Sequence, residues 1–335
     1  MSIQAYAAPR AGAPLERIEY DPGALGAHEV EIDVDYCGIC HSDLSMIEND
    51  WEMSDYPMIP GHEVAGTVAG TGAHVAHLAE GQAVGLGWLK SSCTHCDRCR
   101  AGDHNLCGEA LSTIDGRGGF AEKVRAGAEW VVPIPGGIDA AKAGPLFCGG
   151  ITVFNPLVEF GVEPTDRTGV VGIGGLGHLA LQFLDRWGCA VTAFTSSPGK
   201  AEEARALGAD RVIDSRSPEN IETAAESLDF VLVTANANLD WDAYLDMLRP
   251  KGRLHFVGAV PDPVPVEAFR LIENQLAVSG SPIGSPTRIA EMLDFCARHG
   301  IEPVAEHFPL SEVNEALDHL RSGNARYRIV LEAGR

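Results

Sequence analysis

The chain has 335 residues, 45% hydrophobic and 21% charged, which is apolar material for a full core and, at about 100–200 residues per domain, for two of them. Asp and Glu outnumber Lys and Arg 47 to 25, a formal charge of −22, so no basic face is expected for nucleic acid or anionic lipid. No run of about 18 uninterrupted apolar residues occurs, and the opening MSIQAYAAPRAGAPLERIEYDP lacks a charged leader with an apolar stretch. The expectation is a soluble, cytoplasmic protein with no membrane segment.

Residues 1–148 show short strand-like runs, many Gly and Pro, and few long helical periods. Most of the nine cysteines fall here, and an odd number without a leader argues against a disulfide framework. CGICHSDL supplies Cys40, PGHEVAG supplies His62 and Glu63, and LFCGGIT supplies Cys148. One His and two distant Cys give three protein ligands and an open fourth position, the pattern of a catalytic zinc. Taken singly, each is an ordinary turn or core residue; their weight comes from what stands between them. CTHCDRCRAGDHNLC spaces Cys93, Cys96, Cys99 and Cys107 as C-x2-C-x2-C-x7-C. Thiolates at such intervals close a tetrahedral structural zinc site, and a buried core does not place three cysteines at every third position of a polar loop. His95, inside that loop, is expected to face solvent.

From residue 168 the pattern changes. TGVVGIGGLGHLALQFLDRWG reads as a strand, a turn containing Gly172, Gly174, Gly175 and Gly177, and a helix with Leu179, Leu181, Phe183 and Leu184. That context on both sides makes the glycines a dinucleotide-binding fingerprint, in which the backbone approaches a pyrophosphate at a helix N-terminus. The alternation continues: strand AVTAFT, a helix over 200–207, strand RVID, a helix over 219–227, strand DFVLVT, a helix over 241–248, and strand RLHFVG. Strand–helix alternation predicts a doubly wound parallel sheet, with the boundary near residues 149–155. SPTRIAEMLDFCARHG and NEALDHLRSGNARYRIVL read as further helices and a last strand.

An NAD-specific domain of this kind places Asp or Glu about 20 residues beyond the first fingerprint glycine. Here that count falls in AFTSSPGK, and no carboxylate appears before Glu202. Ser196 and Ser197 can donate to a 2′-phosphate and Lys200 adds positive charge, which predicts a preference for NADP(H). Ser-Ser-Pro-Gly is also ordinary turn chemistry.

Taken together, YDPGAL, VDYCGICHSDLSMI, YPMIPGHEVAG, the cysteine loop, RGGFAEK, CGGITVF, GVVGIGGLGH, VSGS and ARYRIVL resemble the zinc-dependent medium-chain alcohol dehydrogenases, within them the cinnamyl-alcohol-dehydrogenase-like branch and its bacterial NADP(H)-dependent aldehyde reductases. The resemblance implies an α/β architecture, with a GroES-like β-rich catalytic domain over 1–148 and 287–335 and a Rossmann domain over 149–286. It also implies a homodimer joined near residues 276–280. Cys40, His62 and Cys148 would hold a catalytic zinc, with Glu63 a transient ligand. Asp43 would orient His62, and Ser42 would begin a proton relay, although helix capping also explains both. Thr152, Leu176, Thr234, Gly258, Ser281 and Ile283 would join the fingerprint glycines along the cofactor. Trp51, Trp88, Leu89 and Ile283 match substrate-pocket positions, though Trp and Ile are common core residues. Ser45 stands where many relatives carry a relay histidine, so the proton must leave through water or the cofactor ribose.

The implied reaction is reversible reduction of aldehydes to primary alcohols with NADPH. The rival readings are an NAD-dependent polyol or secondary-alcohol dehydrogenase, and a zinc-ribbon binding module fused to a nucleotide-sensing domain. Neither the dispersed Cys40, His62 and Cys148 nor the negative charge suits the latter.

Overall fold

EVEIDVDYCGI alternates inward and outward side chains, as a half-buried strand must, and forms the long strand Glu29–Ile39. In this computed structural model, which describes residues 2–115 and 117–334, that strand is the hub of a seven-stranded sheet. Glu63–Thr71 and Lys123–Gly127 pair antiparallel with it. Arg328–Glu332, near the end of the chain, also pairs antiparallel with it, Ile329 opposite Ile39. Ala305–Pro309 extends the sheet on one side, and Ala83–Leu86 with Val132–Pro133 on the other. The expectation of short strands here was too narrow: Glu29–Ile39 has 11 residues and Glu63–Thr71 has 9. No proline interrupts this central pair, though Gly38, Gly66 and Gly70 lie within it.

The chain divides into two compact units, Met1–Ile151 with Ile283–Arg335, and Thr152–Pro282. Ile283 is buried, and its carbonyl accepts from Asn105 Nδ2 at 2.7 Å, which ties the segment before the helix Pro286–His299 to the first unit.

The second unit is a six-stranded parallel sheet in the spatial order Arg211–Asp214, Ala190–Thr195, Arg167–Val171, Leu228–Val233, Leu248–Phe256, Ala277–Gly280. This is the doubly wound order 3-2-1-4-5-6, whose crevice lies where the order reverses, beside Arg167–Val171. Buried on both faces, the central strands are nearly continuous apolar runs such as LDFVLV. One face packs Phe194, Trp241, Tyr244 and Leu245 into a single cluster.

Three helices differ from the periodicity reading. The stretch at 200–207 is a helix only over Ala201–Ala206, after a 3-10 turn at Pro198–Lys200. That at 219–227 ends as Pro218–Glu222: Glu226 adopts φ +48°, and the amides of Glu226 and Ser227 donate instead to Asp246 and Met247 carbonyls. The helix Trp241–Asp246 stops early because Leu248 already begins the next strand.

Candidate metal centres and cofactor loop

Cys40 is the N-cap of the helix His41–Glu48. Asp43, three residues on, reaches back so that its Oδ2 accepts from Cys40 N at 2.8 Å, closing a capping box. Its Oδ1 accepts from Gly61 N at 2.9 Å and from His62 Nδ1 at 3.0 Å. Capping and histidine orientation are therefore one arrangement, made by a fully buried carboxylate. Because a carboxylate only accepts, His62 Nδ1 carries a proton, which leaves Nε2, 3.3 Å from Cys148 Sγ, as the nitrogen that can ligate a metal once it is deprotonated. Cys40 Sγ and Cys148 Sγ are 3.9 Å apart, and Ser42 Oγ lies 3.7 Å from Cys40 Sγ.

Electrostatics agree with a site that binds a cation. The Cys148 thiol donates toward Cys40 and holds Cys40 well below the usual thiol range, while Cys148 itself is pushed up by that bond and by burial. Burial opposes charge on His62, but the Asp43 carboxylate outweighs it and raises its pKa well above the usual imidazole value. Burial likewise raises Glu63, against the pull of Arg328.

Glu63 was expected from sequence; its partner was not. Glu63 Oε1 accepts from Arg328 Nη2 in a pair that is almost wholly buried. The two lie on either side of Glu29–Ile39, and a Cβ on Gly38 would fall 2.0 Å from Glu63 Oε2, so the glycine leaves room for the carboxylate. The signal for Arg328 was a lone cation opening the apolar run RIVL. Glu63 Oε2 is buried with no hydrogen-bond partner. The donor atoms of Cys40, His62, Glu63 and Cys148 all lie within 4.8 Å of one another. Two soft sulfurs about 3.8 Å apart are what Zn–S bonds of about 2.3 Å at a tetrahedral angle require, so the residues fit zinc. Trp88 stands edge-on to the His62 ring at 4.8 Å and Trp51 stands edge-on to Trp88 at 6.2 Å, so two of the substrate-pocket candidates border this site. Leu89 is buried, and Ser45 is half-buried on the same helix as Ser42.

Cys93, Cys96, Cys99 and Cys107 form the second cluster, with Cys93–Cys99 at 3.9 Å and Cys96–Cys107 at 4.0 Å. Backbone amides within the loop aim at the sulfurs: Cys96 N at Cys93, Cys99 N at Cys96, Cys93 N and Glu109 N at Cys107. Those last two bring the Cys107 thiol down to about 7, favouring the thiolate a metal needs. This set also fits zinc. His95 is exposed and bonded to the Cys93 carbonyl, as expected.

In the second unit, Gly172 follows its strand at φ +91°, a conformation open to glycine, and its carbonyl accepts from Thr234 Oγ1 at 2.6 Å. Gly174, Gly175 and Leu176 make the turn, and the helix Gly177–Trp187 starts directly after it. Lys200 Nζ donates to Ile173 O at 3.2 Å, which brings the lysine to this loop. Ser196 and Ser197 are exposed at the end of Ala190–Thr195. Gly258 N donates to Val233 O at 3.0 Å, and Ser281 Oγ meets His255. Thr152 is buried in the helix Gly149–Glu159.

Residues 26–136 match the alcohol dehydrogenase GroES-like domain and residues 175–298 the zinc-binding dehydrogenase domain. An aldehyde reductase of Synechocystis sp. is 56% identical over 98% of each chain. A cinnamyl alcohol dehydrogenase of Sorghum bicolor superposes with a TM-score of 0.95 at 34% identity, over 99% of this chain and 98% of that one. One from Helicobacter pylori, complexed with NADP(H), gives 0.91 at 29%, over 99% and 98%.

Proposed function

The chain belongs to the zinc-binding alcohol dehydrogenase family, and on that premise we propose that it reduces aldehydes to primary alcohols, reversibly, with NADPH. The observation that carries the reading is the buried meeting of Cys40, His62 and Cys148, with Asp43 behind the histidine. When bound, zinc polarises a carbonyl oxygen as a Lewis acid and the reduced nicotinamide supplies the hydride. The chain's own residues do the rest. Asp43 fixes the His62 tautomer so that Nε2 is free to ligate. Ser42, beside Cys40, offers the hydroxyl that hands a proton to the reduced oxygen, and Ser45 has no imidazole to take it onward, so water carries the exchange. Trp88 and Trp51 give the site an aromatic wall. Arg328 keeps Glu63 compensated until a ligand is exchanged.

For the cofactor, Ser196 and Ser197 with no carboxylate before Glu202, and Lys200 at the loop, support a 2′-phosphate; the Helicobacter pylori relative's NADP(H) complex points the same way. Strand Ala277–Gly280 is the last of its sheet among the described residues, and the helix that precedes it in the chain, Ala268–Asn274, exposes Phe269 and Ile272, which supports a homodimer formed there. No helix among the described residues is long and apolar enough to cross a membrane, and the cytoplasm is the proposed location. The test is initial rates on aldehydes and polyols with each cofactor. Aldehyde reduction with higher kcat/KM for NADPH is expected, and Ser196→Asp shifts the preference toward NADH. Higher kcat/KM with NADH in the unaltered enzyme, or a preference for polyols, overturns the reading.

A further inference from the structure

The strand Leu248–Phe256 buries a histidine that plays no part in the metal site. His255 is 0% exposed, stacked near Phe230 with ring centroids 6.0 Å apart and tilted against Phe160 at 4.8 Å. Both ring nitrogens are hydrogen-bonded, Nδ1 to Ser279 Oγ and Nε2 to Ser281 Oγ, each at 2.9 Å. Arg253, whose guanidinium lies 4.4 Å from the Phe160 centroid, donates from Nη1 to the same Ser279 Oγ at 2.9 Å.

The direction of this chain follows from its donors. Arginine can only donate, so Ser279 accepts there and turns its proton away from the guanidinium. The acceptor in reach is His255 Nδ1. Burial, then the neighbouring Arg253 charge, push His255 down to about 4, so the ring is neutral near pH 7 and carries one N–H. With Nδ1 accepting, that proton sits on Nε2 and is donated to Ser281 Oγ. Ser281 accepts, and its own hydroxyl proton is left to donate elsewhere.

Ser281 directly follows Ala277–Gly280, at the carboxyl edge of the parallel sheet, the edge on which Gly172 and Thr234 follow their own strands. Ligands of doubly wound sheets bind along that edge, one nucleotide half on each side of the point where the strand order reverses. The glycine turn and Lys200 mark one side; Ser281 lies on the other.

We propose that Arg253, Ser279 and His255 form a one-way hydrogen-bond chain that presents Ser281 as a donor to an oxygen on the nicotinamide half of the cofactor. His255 is thus a positioning residue, acting through Ser281. The inference rests on the dinucleotide reading of this unit.

The test combines NADPH binding to the enzyme without substrate, followed by cofactor fluorescence, with nitrogen NMR of the His255 ring. Ser281→Ala and His255→Phe are each expected to raise the Kd for NADPH about tenfold, the size of one hydrogen bond. The double variant is expected to bind no more weakly than either single one, and His255→Gln, whose Nε2 can still donate to Ser281, to retain most of the affinity. The wild-type ring is expected as the Nε2–H tautomer, a bias that Arg253→Leu removes. Unchanged NADPH binding in Ser281→Ala, additive losses in the double variant, or an Nδ1–H tautomer overturns the proposal; a merely structural histidine gives the additive result. If His255→Phe does not fold, Ser281→Ala and the tautomer still decide. Wild-type enzyme that binds neither NADPH nor NADH removes the dinucleotide reading, and this proposal with it.

Discussion

The two thiol clusters are built in opposite ways. Cys93, Cys96, Cys99 and Cys107 come from one short loop that supplies its own amide donors to the sulfurs. Cys40, His62 and Cys148 come from three distant segments, and what holds them in place is a buried carboxylate, Asp43, and a buried ion pair, Glu63 with Arg328. A closed, four-thiol set has every ligand position filled, so its metal is coupled to folding. A three-ligand set backed by ionisable groups keeps a position for chemistry. Losing the first ion should cost structure; losing the second should cost rate.

Variants around the dispersed site test that division, the largest effect first. Ser42→Ala should lower kcat on the order of 10²–10⁴-fold, the span of a positioned proton-transfer group, with the thermal midpoint unchanged. Steady-state kinetics beside a melting curve check both halves, and an unaltered rate takes Ser42 out of the mechanism. Arg328→Met leaves the Glu63 carboxylate buried without its counter-charge, a loss of about 3–5 kcal/mol in unfolding free energy. Adding Glu63→Gln should recover much of it; denaturant unfolding that shows no recovery breaks the pairing argument. Asp43→Asn removes the charge that fixes His62 and should weaken the more labile zinc by about 10–100-fold, read by competition with a chelator, while the four-cysteine ion is retained.

A further effect is a pH slope in the second unit. His255 is held at about 4, below its unfolded value near 6.5, so the unfolded chain binds the extra proton between those limits. Its contribution to stability is complete above about pH 6.5 and lost as the pH falls toward 4. His255→Gln should flatten that part of the stability–pH curve, measured by denaturant midpoints; an unchanged slope contradicts it.

Features set by neighbours in sequence were the legible ones. The cysteine loop and the glycine turn could be read from spacing because each is local chemistry. Cys40, His62 and Cys148 could be read only as a pattern of ligand types beside the cysteine loop, since nothing in three separate motifs says they meet. Arg328 was missed because its partner is 265 residues away and the pair forms only across the strand Glu29–Ile39. The helix at 219–227 was drawn too long for a similar reason: carbonyls at Asp246 and Met247 compete for its last amides. Asp43 shows the converse, a residue whose local signal, capping, was correct and incomplete.

Two clusters holding two zinc ions with unequal roles are told apart by metal analysis during graded chelation. Fully active enzyme should contain two zinc ions per chain. The first to leave should take the activity with it while the melting temperature and circular dichroism hold, and the second should leave only as the fold is lost. One zinc or fewer in fully active enzyme, or activity that survives until the protein unfolds, is incompatible with two zinc ions of unequal role.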